Sequence, residues 1–158
     1  MRPSLIKGGS FGLTSGVITT MGLLVGLHSG THSRVAIAGG IATIAIADAF
    51  SEAFSMHIAQ ETDPKATTAQ IWLAALATFA TKFVFAISFL APVLTLDLTT
   101  AAIVSVVWGF GLLSLTSYWM AKQNETSPWK SIFEHLLIAS LVIVANHFVG
   151  VLVSYLGS

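Results

Sequence analysis

Long apolar stretches separated by short polar connections make up almost the whole chain. Five of these stretches reach the roughly 17–25 residues that a helix needs to span a bilayer. They run from about Gly9 to Leu27, Val35 to Gln60, Gln70 to Leu94, Thr99 to Ala121 and Ser131 to Leu156. No connection between them is long enough for a separate soluble domain. The pattern therefore predicts a single all-α transmembrane domain over residues 1–158, with five transmembrane helices.

Composition supports an integral membrane protein. Hydrophobic residues make up 54% of the chain and charged residues 9%, whereas soluble domains carry about 25% charged residues. The formal net charge is zero, so no basic field indicates a nucleic-acid partner. The lack of cysteine excludes disulfides and thiolate metal sites. Because no cleavage pattern follows the first apolar stretch, we interpret it as part of the mature protein.

The basic residues outside the spans predict an orientation in the membrane. With five spans, one side holds the N-terminus and the connections that follow spans 2 and 4. That side carries Arg2, Lys7, Lys65, Lys122 and Lys130. The other side carries Arg34 alone. Because Lys and Arg accumulate in cytosolic loops, we expect a cytosolic N-terminus and a C-terminus outside.

The second span carries a stripe of three candidate metal ligands. Asp48, Glu52 and Met56 are four residues apart, which places them on one face of a helix. A carboxylate in the middle of a span costs roughly 2.5–3.5 kcal/mol by insertion scales, so two on one face indicate a function. Carboxylates suit Mn²⁺ and Fe²⁺, and a thioether favours transition metals over Mg²⁺ or Ca²⁺. The stripe predicts a path for a divalent transition metal.

The third span carries Lys82 at about its middle. An ion pair between Lys82 and Asp48 is the structural alternative to a metal site, because a pair hides two charges at once. On sequence alone this alternative leaves Glu52 without a partner. Two carboxylates buried together can also exchange protons for a metal, which gives a physical basis for proton-coupled transport.

Other polar residues in or near the spans are accessory candidates. Ser15 lies at roughly the depth of Glu52 and supplies either an oxygen ligand or a wetting group. His57 follows the stripe near the predicted cytosolic mouth. Asn146 and His147 form either a second polar site near the exit or hydrogen bonds to a neighbouring helix.

Histidines and glycines near the first span leave further alternatives open. His28 and His32 are one turn apart if that segment is helical, and would then collect metal at the outer surface. Two small-residue series also mark span 1, and such faces let helices approach closely. They serve either packing inside the chain or a subunit interface, and their members are Gly8, Gly12 and Gly16, then Gly22, Gly26 and Gly30.

The sequence resembles the vacuolar iron transporter family of Fe²⁺ and Mn²⁺ transporters. The resemblance covers all five spans and is carried by FGLTSGVIT, ADAFSEAFSMHIAQETD, FLAPVLTL and HFVGVLVSYLG. It implies a homodimer of five-span subunits that exchanges cytosolic metal for protons along a path between the two copies of spans 1 and 2. The short connection ETDPKATTA leaves no room for the cytosolic metal-binding domain of eukaryotic members.

The chain departs from the family pattern at the residues that matter most. The family's acid in the first span falls at Ser15, and its Ser-Met pair falls at Ser51 and Glu52. Its following Glu falls at Met56, so Met and Glu stay four residues apart in reversed order. An earlier acid of some members falls at Ile44. The resemblance then implies a ligand set rebuilt on the same helix, or a different choice of ion.

Together these observations predict a homodimer in the lipid bilayer that moves Fe²⁺ or Mn²⁺ out of the cytosol in exchange for protons. We expect no permanently bound cofactor and no enzymatic activity, since no nucleophile with an adjacent base is evident. A compact chain without an organelle signal favours a prokaryotic plasma membrane. The alternative is a non-transporting membrane scaffold or assembly subunit, with Asp48 and Lys82 as a structural pair.

Overall fold

The computed structural model describes residues 2–157, except for the side chain of Arg2. This part of the chain is helical and contains no strand. Five segments are long and apolar enough to cross a membrane, and we number them span 1 (Pro3–Thr31), span 2 (Arg34–Glu61), span 3 (Thr68–Thr95), span 4 (Leu98–Gln123) and span 5 (Pro128–Leu156). Each of the five predicted stretches lies inside one of them. The prediction of an all-helical chain with five potential membrane spans is confirmed.

Polar residues fix where the spans begin. Ser33 caps span 2 and Asp97 caps span 4, each accepting a hydrogen bond from a backbone N–H three residues on. Thr67 and Gln70 form a capping box at the start of span 3. Pro128 starts span 5, where its missing N–H costs nothing. These caps lie in the short connections that the sequence pattern predicts.

Span 1 lies at the centre of the bundle and contacts the four other spans, most extensively spans 3 and 5. At Gly8 the approach to span 3 is so close that a Cβ atom would overlap the carbonyl oxygen of Ala74. On span 5, a Cβ atom at Gly150 would overlap the carbonyl oxygen of Gly26. Of the two alternatives for the glycine series, the structure shows packing inside one chain.

A π-helical turn interrupts span 2 just ahead of the predicted stripe. The α-helix Arg34–Thr43 passes into the π turn Ile44–Asp48, and the α-helix Ala49–Glu61 follows. Within the turn, the N–H of Ala49 bonds the carbonyl of Ile44, five residues back. A π turn fits one extra residue into the helix. The regular spacing of residues that share a helix face is therefore shifted across the π turn. A face defined by the residues after the turn does not continue among those before it.

Span 3 is interrupted near its end, where the helix Thr68–Ser88 gives way to the short helix Leu90–Thr95. Pro92 lies beside the break and lacks the N–H that would bond the carbonyl four residues earlier. Arg34 ties this end of span 3 to the start of span 2 by donating to two backbone carbonyls, at 2.7 and 3.3 Å. These two hydrogen bonds therefore connect the start of span 2 with the end of span 3.

Candidate functional site

Lys82 is the centre of a charged cluster near the middle of spans 1, 2 and 3. Its side chain is fully buried, and its Nζ lies 2.6 Å from Asp48 Oδ2 and 2.6 Å from Glu52 Oε1. The same ammonium donates to Ser15 Oγ at 3.1 Å, and the Ser15 hydroxyl donates to Glu52 Oε1. We call these four residues the Lys82 network. One buried cation is thus shared between two carboxylates.

The sequence builds this network through backbone geometry as well as through charge. The Lys82 backbone and side-chain stem lie against Gly16, where an added Cβ would be 3.1 Å from Lys82 Cγ. Glycine at this position therefore lets the lysine pass close to span 1. Asp48 ends the π turn and Glu52 lies in the first turn of the following α-helix. Four residues apart, they present both carboxylates to span 3.

The charges of the network do not balance. With all groups ionised, one ammonium faces two carboxylates, which leaves one negative charge. Glu52 Oε2 is buried and has no hydrogen-bond partner among the described residues. A buried carboxylate oxygen without a donor is costly, because a low dielectric strengthens both a made interaction and the penalty for a missing one. This oxygen is a ready acceptor for a proton or a cation.

The network is open on one side of span 2. The Asp48 side chain is 40% exposed and that of Glu52 20% exposed. Large apolar residues of the same span, Ile46, Phe50 and Phe54, are also exposed. In a single chain the Asp48 carboxylate therefore reaches the outer surface of the bundle at mid-span. A charge that faces lipid at mid-span is energetically costly, so we expect another protein surface to contact span 2 around Asp48.

The other predicted ligands lie along the continuation of span 2. Met56 is buried at 7% exposure, one turn beyond Glu52. His57 does not join the network, since its Nε2 lies 3.4 Å from Glu61 and its ring packs on Trp72. Among residues 2–157, no three His, Cys, Asp or Glu side chains are grouped so as to hold a metal ion. A metal held at the network would therefore also need Met56, Ser15 or water as a ligand.

Asn146 and His147 lie on a different surface, where span 5 packs against span 1. Asn146 donates to the carbonyl of Val142 in its own helix at 2.9 Å. The Nδ1 atom of His147 lies 2.6 Å from the hydroxyl of Ser29. Hydrogen bonding to a neighbouring helix, one of the two alternatives that the sequence left open, is thus found for His147. No described contact joins either residue to the Lys82 network.

Sequence reasoning missed how far Lys82 reaches. The ion pair with Asp48, given as the structural alternative to a metal site, is present, but the inference that this pair leaves Glu52 without a partner is wrong. The missed signal is the length of the lysine side chain, whose ammonium can serve two carboxylates one helical turn apart. A second missed contact joins Ser117 Oγ and His135 Nδ1 at 2.7 Å. That serine also donates to the carbonyl of Leu113.

Fold and site together define a helical, potentially multi-pass membrane protein with a buried, charge-unbalanced network in its spans. Comparison with family models, with curated proteins and with solved structures finds no match to this chain. The interpretation of its function therefore depends on the motifs in the sequence and on the geometry of the network.

Proposed function

We propose that the protein transports a divalent transition-metal ion, Fe²⁺ or Mn²⁺, out of the cytosol in exchange for protons. The observation that supports this most is the sharing of one buried ammonium by two mid-span carboxylates. Asp48, Glu52 and Met56 are the proposed ligands, with Ser15 as an accessory oxygen. Carboxylate, hydroxyl and thioether donors together suit these ions better than they suit Mg²⁺ or Ca²⁺. The resemblance to vacuolar iron transporters points the same way.

The position of Lys82 supplies a mechanism for coupling metal to protons. Its ammonium occupies the space between the carboxylates that a metal ion would need, so the two cations compete. M²⁺ bound by Asp48 and Glu52 would displace the Lys82 ammonium from both carboxylates, and the ion pairs would form again when the metal leaves. This competition for the two carboxylates is the proposed basis of the exchange between metal and protons.

A second copy of the chain is the proposed cover for the open side of the network. In one chain the Asp48 side chain is 40% exposed, and Phe50 and Phe54 of the same span are exposed as well. A homodimer with span 2 against span 2 would remove the carboxylate from lipid and place two networks side by side. Span 1 is largely enclosed by its own chain, so the metal path would be lined mainly by span 2, with Ser15 as the contribution of span 1. We place this dimer in a prokaryotic plasma membrane, with the N-terminus in the cytosol.

Metal uptake by proteoliposomes tests the transport function. The full chain is reconstituted, a pH gradient is imposed, and uptake of Fe²⁺ and of Mn²⁺ is followed. We expect uptake that scales with the gradient and is lost in Glu52→Gln, which keeps the shape of the side chain and removes its charge. Glu134→Gln is the matched control, since Glu134 is exposed and meets only Lys130, at 3.9 Å. Metal uptake at the wild-type rate in Glu52→Gln would exclude the Lys82 network as the transport site.

The second candidate function is a membrane scaffold or assembly subunit that transports nothing. The contacts of Lys82 with both carboxylates and with Ser15 favour it, because a buried ion network can serve specificity of packing alone. The double exchange Asp48→Lys with Lys82→Asp separates the two functions. A scaffold keeps an ion pair and stays folded with its partner contacts intact, whereas a transporter folds but loses uptake. Wild-type uptake in the exchanged protein would speak against a metal site at Asp48.

A further inference from the structure

A pair of histidines closes span 1 at the end of the bundle where spans 1 and 2 connect. The helix of span 1 runs to Thr31, and the N–H of His32, the next residue, bonds the carbonyl of His28 at 3.3 Å. His32 itself has a positive φ of 50°, which ends the helix. The two rings are tilted by 42° and their centroids are 5.3 Å apart. Neither histidine takes part in the Lys82 network.

This ring spacing matches two imidazoles that share one metal ion. Zn–N bonds are about 2.0–2.1 Å long, so two imidazoles on a tetrahedral ion have ring centroids roughly 5 Å apart. The observed separation of 5.3 Å is therefore compatible with two imidazoles on one ion.

The His28 ring also carries an uncommitted nitrogen. Its Nε2 is buried and has no hydrogen-bond partner among the described residues. Buried polar atoms are nearly always satisfied, so an orphan nitrogen requires an explanation. A metal ion would satisfy it, because neutral imidazole binds metals through the lone pair of one ring nitrogen.

A third imidazole approaches the pair from span 5. The Nδ1 atom of His147 lies 2.6 Å from the hydroxyl of Ser29, the residue that follows His28. The close backbone contact between Gly30 and Gly150 brings the two helices together here. The three rings do not converge on one ion, in keeping with the lack of a three-ligand group among residues 2–157. Two coordination positions on an ion at the pair thus remain for water or another ligand.

We propose that His28 and His32 chelate a divalent transition-metal ion of borderline softness, with His147 beside the open positions. Imidazole nitrogen suits Zn²⁺, Co²⁺, Ni²⁺ and Fe²⁺ and is a poor ligand for Mg²⁺ and Ca²⁺. Two protein ligands with open positions describe an exchangeable site rather than a permanent structural one. The proposal does not rest on transport through the Lys82 network, since the two sites share no residue.

Zn²⁺ binding to the purified full chain in detergent, measured by isothermal titration calorimetry at pH 7.5, tests this site. We expect one equivalent to disappear in the double variant His28→Gln with His32→Gln. His135→Gln is the matched control, because that histidine contacts Ser117 and lies outside the pair. Glu134→Gln is the second control, because Glu134 is exposed, pairs with Lys130 and lies outside both the histidine pair and the network. Both controls should keep the equivalent, and an unchanged stoichiometry in the double variant would overturn the proposal.

Two further measurements keep the result interpretable. Co²⁺ added to wild-type protein should give visible absorption bands that the double variant lacks and that Mg²⁺ in excess does not remove. Binding should weaken on acidification, since protonated imidazole has no lone pair for a metal. If the double variant misfolds, the single variants His28→Gln and His32→Gln replace it. Each should weaken binding by more than about tenfold, and wild-type affinity in both would refute chelation.

Discussion

Span 1 meets spans 3 and 5 through two glycine series of the same kind, yet the two surfaces differ in what they bury. Against span 3, Gly12 lies against Thr78 and Gly16 against Lys82, which pairs with two carboxylates. Against span 5, Gly22 and Gly26 admit the neutral side chain of Asn146. Close approach of helices is thus common to both surfaces. What distinguishes them is the charge that the neighbouring span brings into the contact.

The difference shows which of the two contacts has a high energetic cost of burial and so indicates a functional site. The Asn146 side chain is neutral and bonds a carbonyl of its own helix, so its burial changes the free energy of unfolding little. A shared ammonium with two carboxylates in lipid is expensive unless its geometry is nearly ideal. Apolar residues in place of Lys82, Asp48 and Glu52 would avoid this energetic cost. We therefore look for a function first at the contact between spans 1 and 3.

The largest effect should come from Lys82→Met, which leaves Asp48 and Glu52 with no cation. Removing one partner of a buried ion pair costs about 3–5 kcal/mol, so we expect little folded protein. The yield of monodisperse protein in detergent and its thermal unfolding measure this. Asn146→Leu is the comparison on the other surface and should cost about 1 kcal/mol or less. Adding Asp48→Asn and Glu52→Gln to Lys82→Met should restore folding, and failure to do so would deny that unpaired charge is the cause.

The next effect concerns the close approach itself. A Cβ atom at Gly12 would overlap the carbonyl oxygen of Thr78, and backbone cannot move aside as a side-chain end can. Gly12→Val should therefore destabilise by at least about 1–3 kcal/mol, the usual range for overpacking. Gly111→Val is the control, because an added Cβ there meets nothing within 4 Å. Equal unfolding temperatures for the two variants would contradict the packing of span 1 on span 3.

A smaller effect is expected for Ser15→Ala, which leaves the ion pairs in place. The hydroxyl accepts from Lys82 and donates to Glu52, so its removal takes one hydrogen bond from each. We expect a loss of about 1.5 kcal/mol, the lower end for hydrogen bonds to charged groups. Chemical unfolding in mixed micelles would measure it. Thr19→Val is the control, because the Thr19 hydroxyl bonds only the carbonyl of Ser15 in its own helix.

The smallest effect is expected at Asp97, an exposed aspartate that contrasts with Asp48 in the network. Hydrogen bonds from the side chain and the backbone N–H of Thr100 hold the pKa of Asp97 below its ordinary value of 3.8. A lowered folded-state pKa gives stabilisation that is complete above the ordinary value and is lost as the pH falls through the lowered one. Asp97→Ala should thus lower the unfolding temperature slightly at pH 7 and progressively less below pH 3.8. A difference that grew on acidification would have the wrong sign.

Much of the architecture was predictable from the sequence because its causes are local. Apolar length and polar connections placed all five spans, and residues such as Thr67 and Asp97 start helices through bonds made within one turn. The pair Asp48–Lys82 was also predictable, since two opposite charges at mid-span have strong reason to meet. The glycine series indicated close helix contacts but not which helices make them.

The chain alone thus determined what must be buried: five apolar helices, and the charges at Asp48, Glu52 and Lys82 that needed partners within them. The tertiary structure decided which partners they take. In the folded chain both carboxylates contact the Lys82 ammonium, and Ser15 of span 1 joins them. Asn146 and His147 lie on a separate surface. It also introduced the π turn before Ala49. The physical reason is that hydrophobicity and helix periodicity act along the chain, whereas the choice among partners depends on how helices rotate and approach.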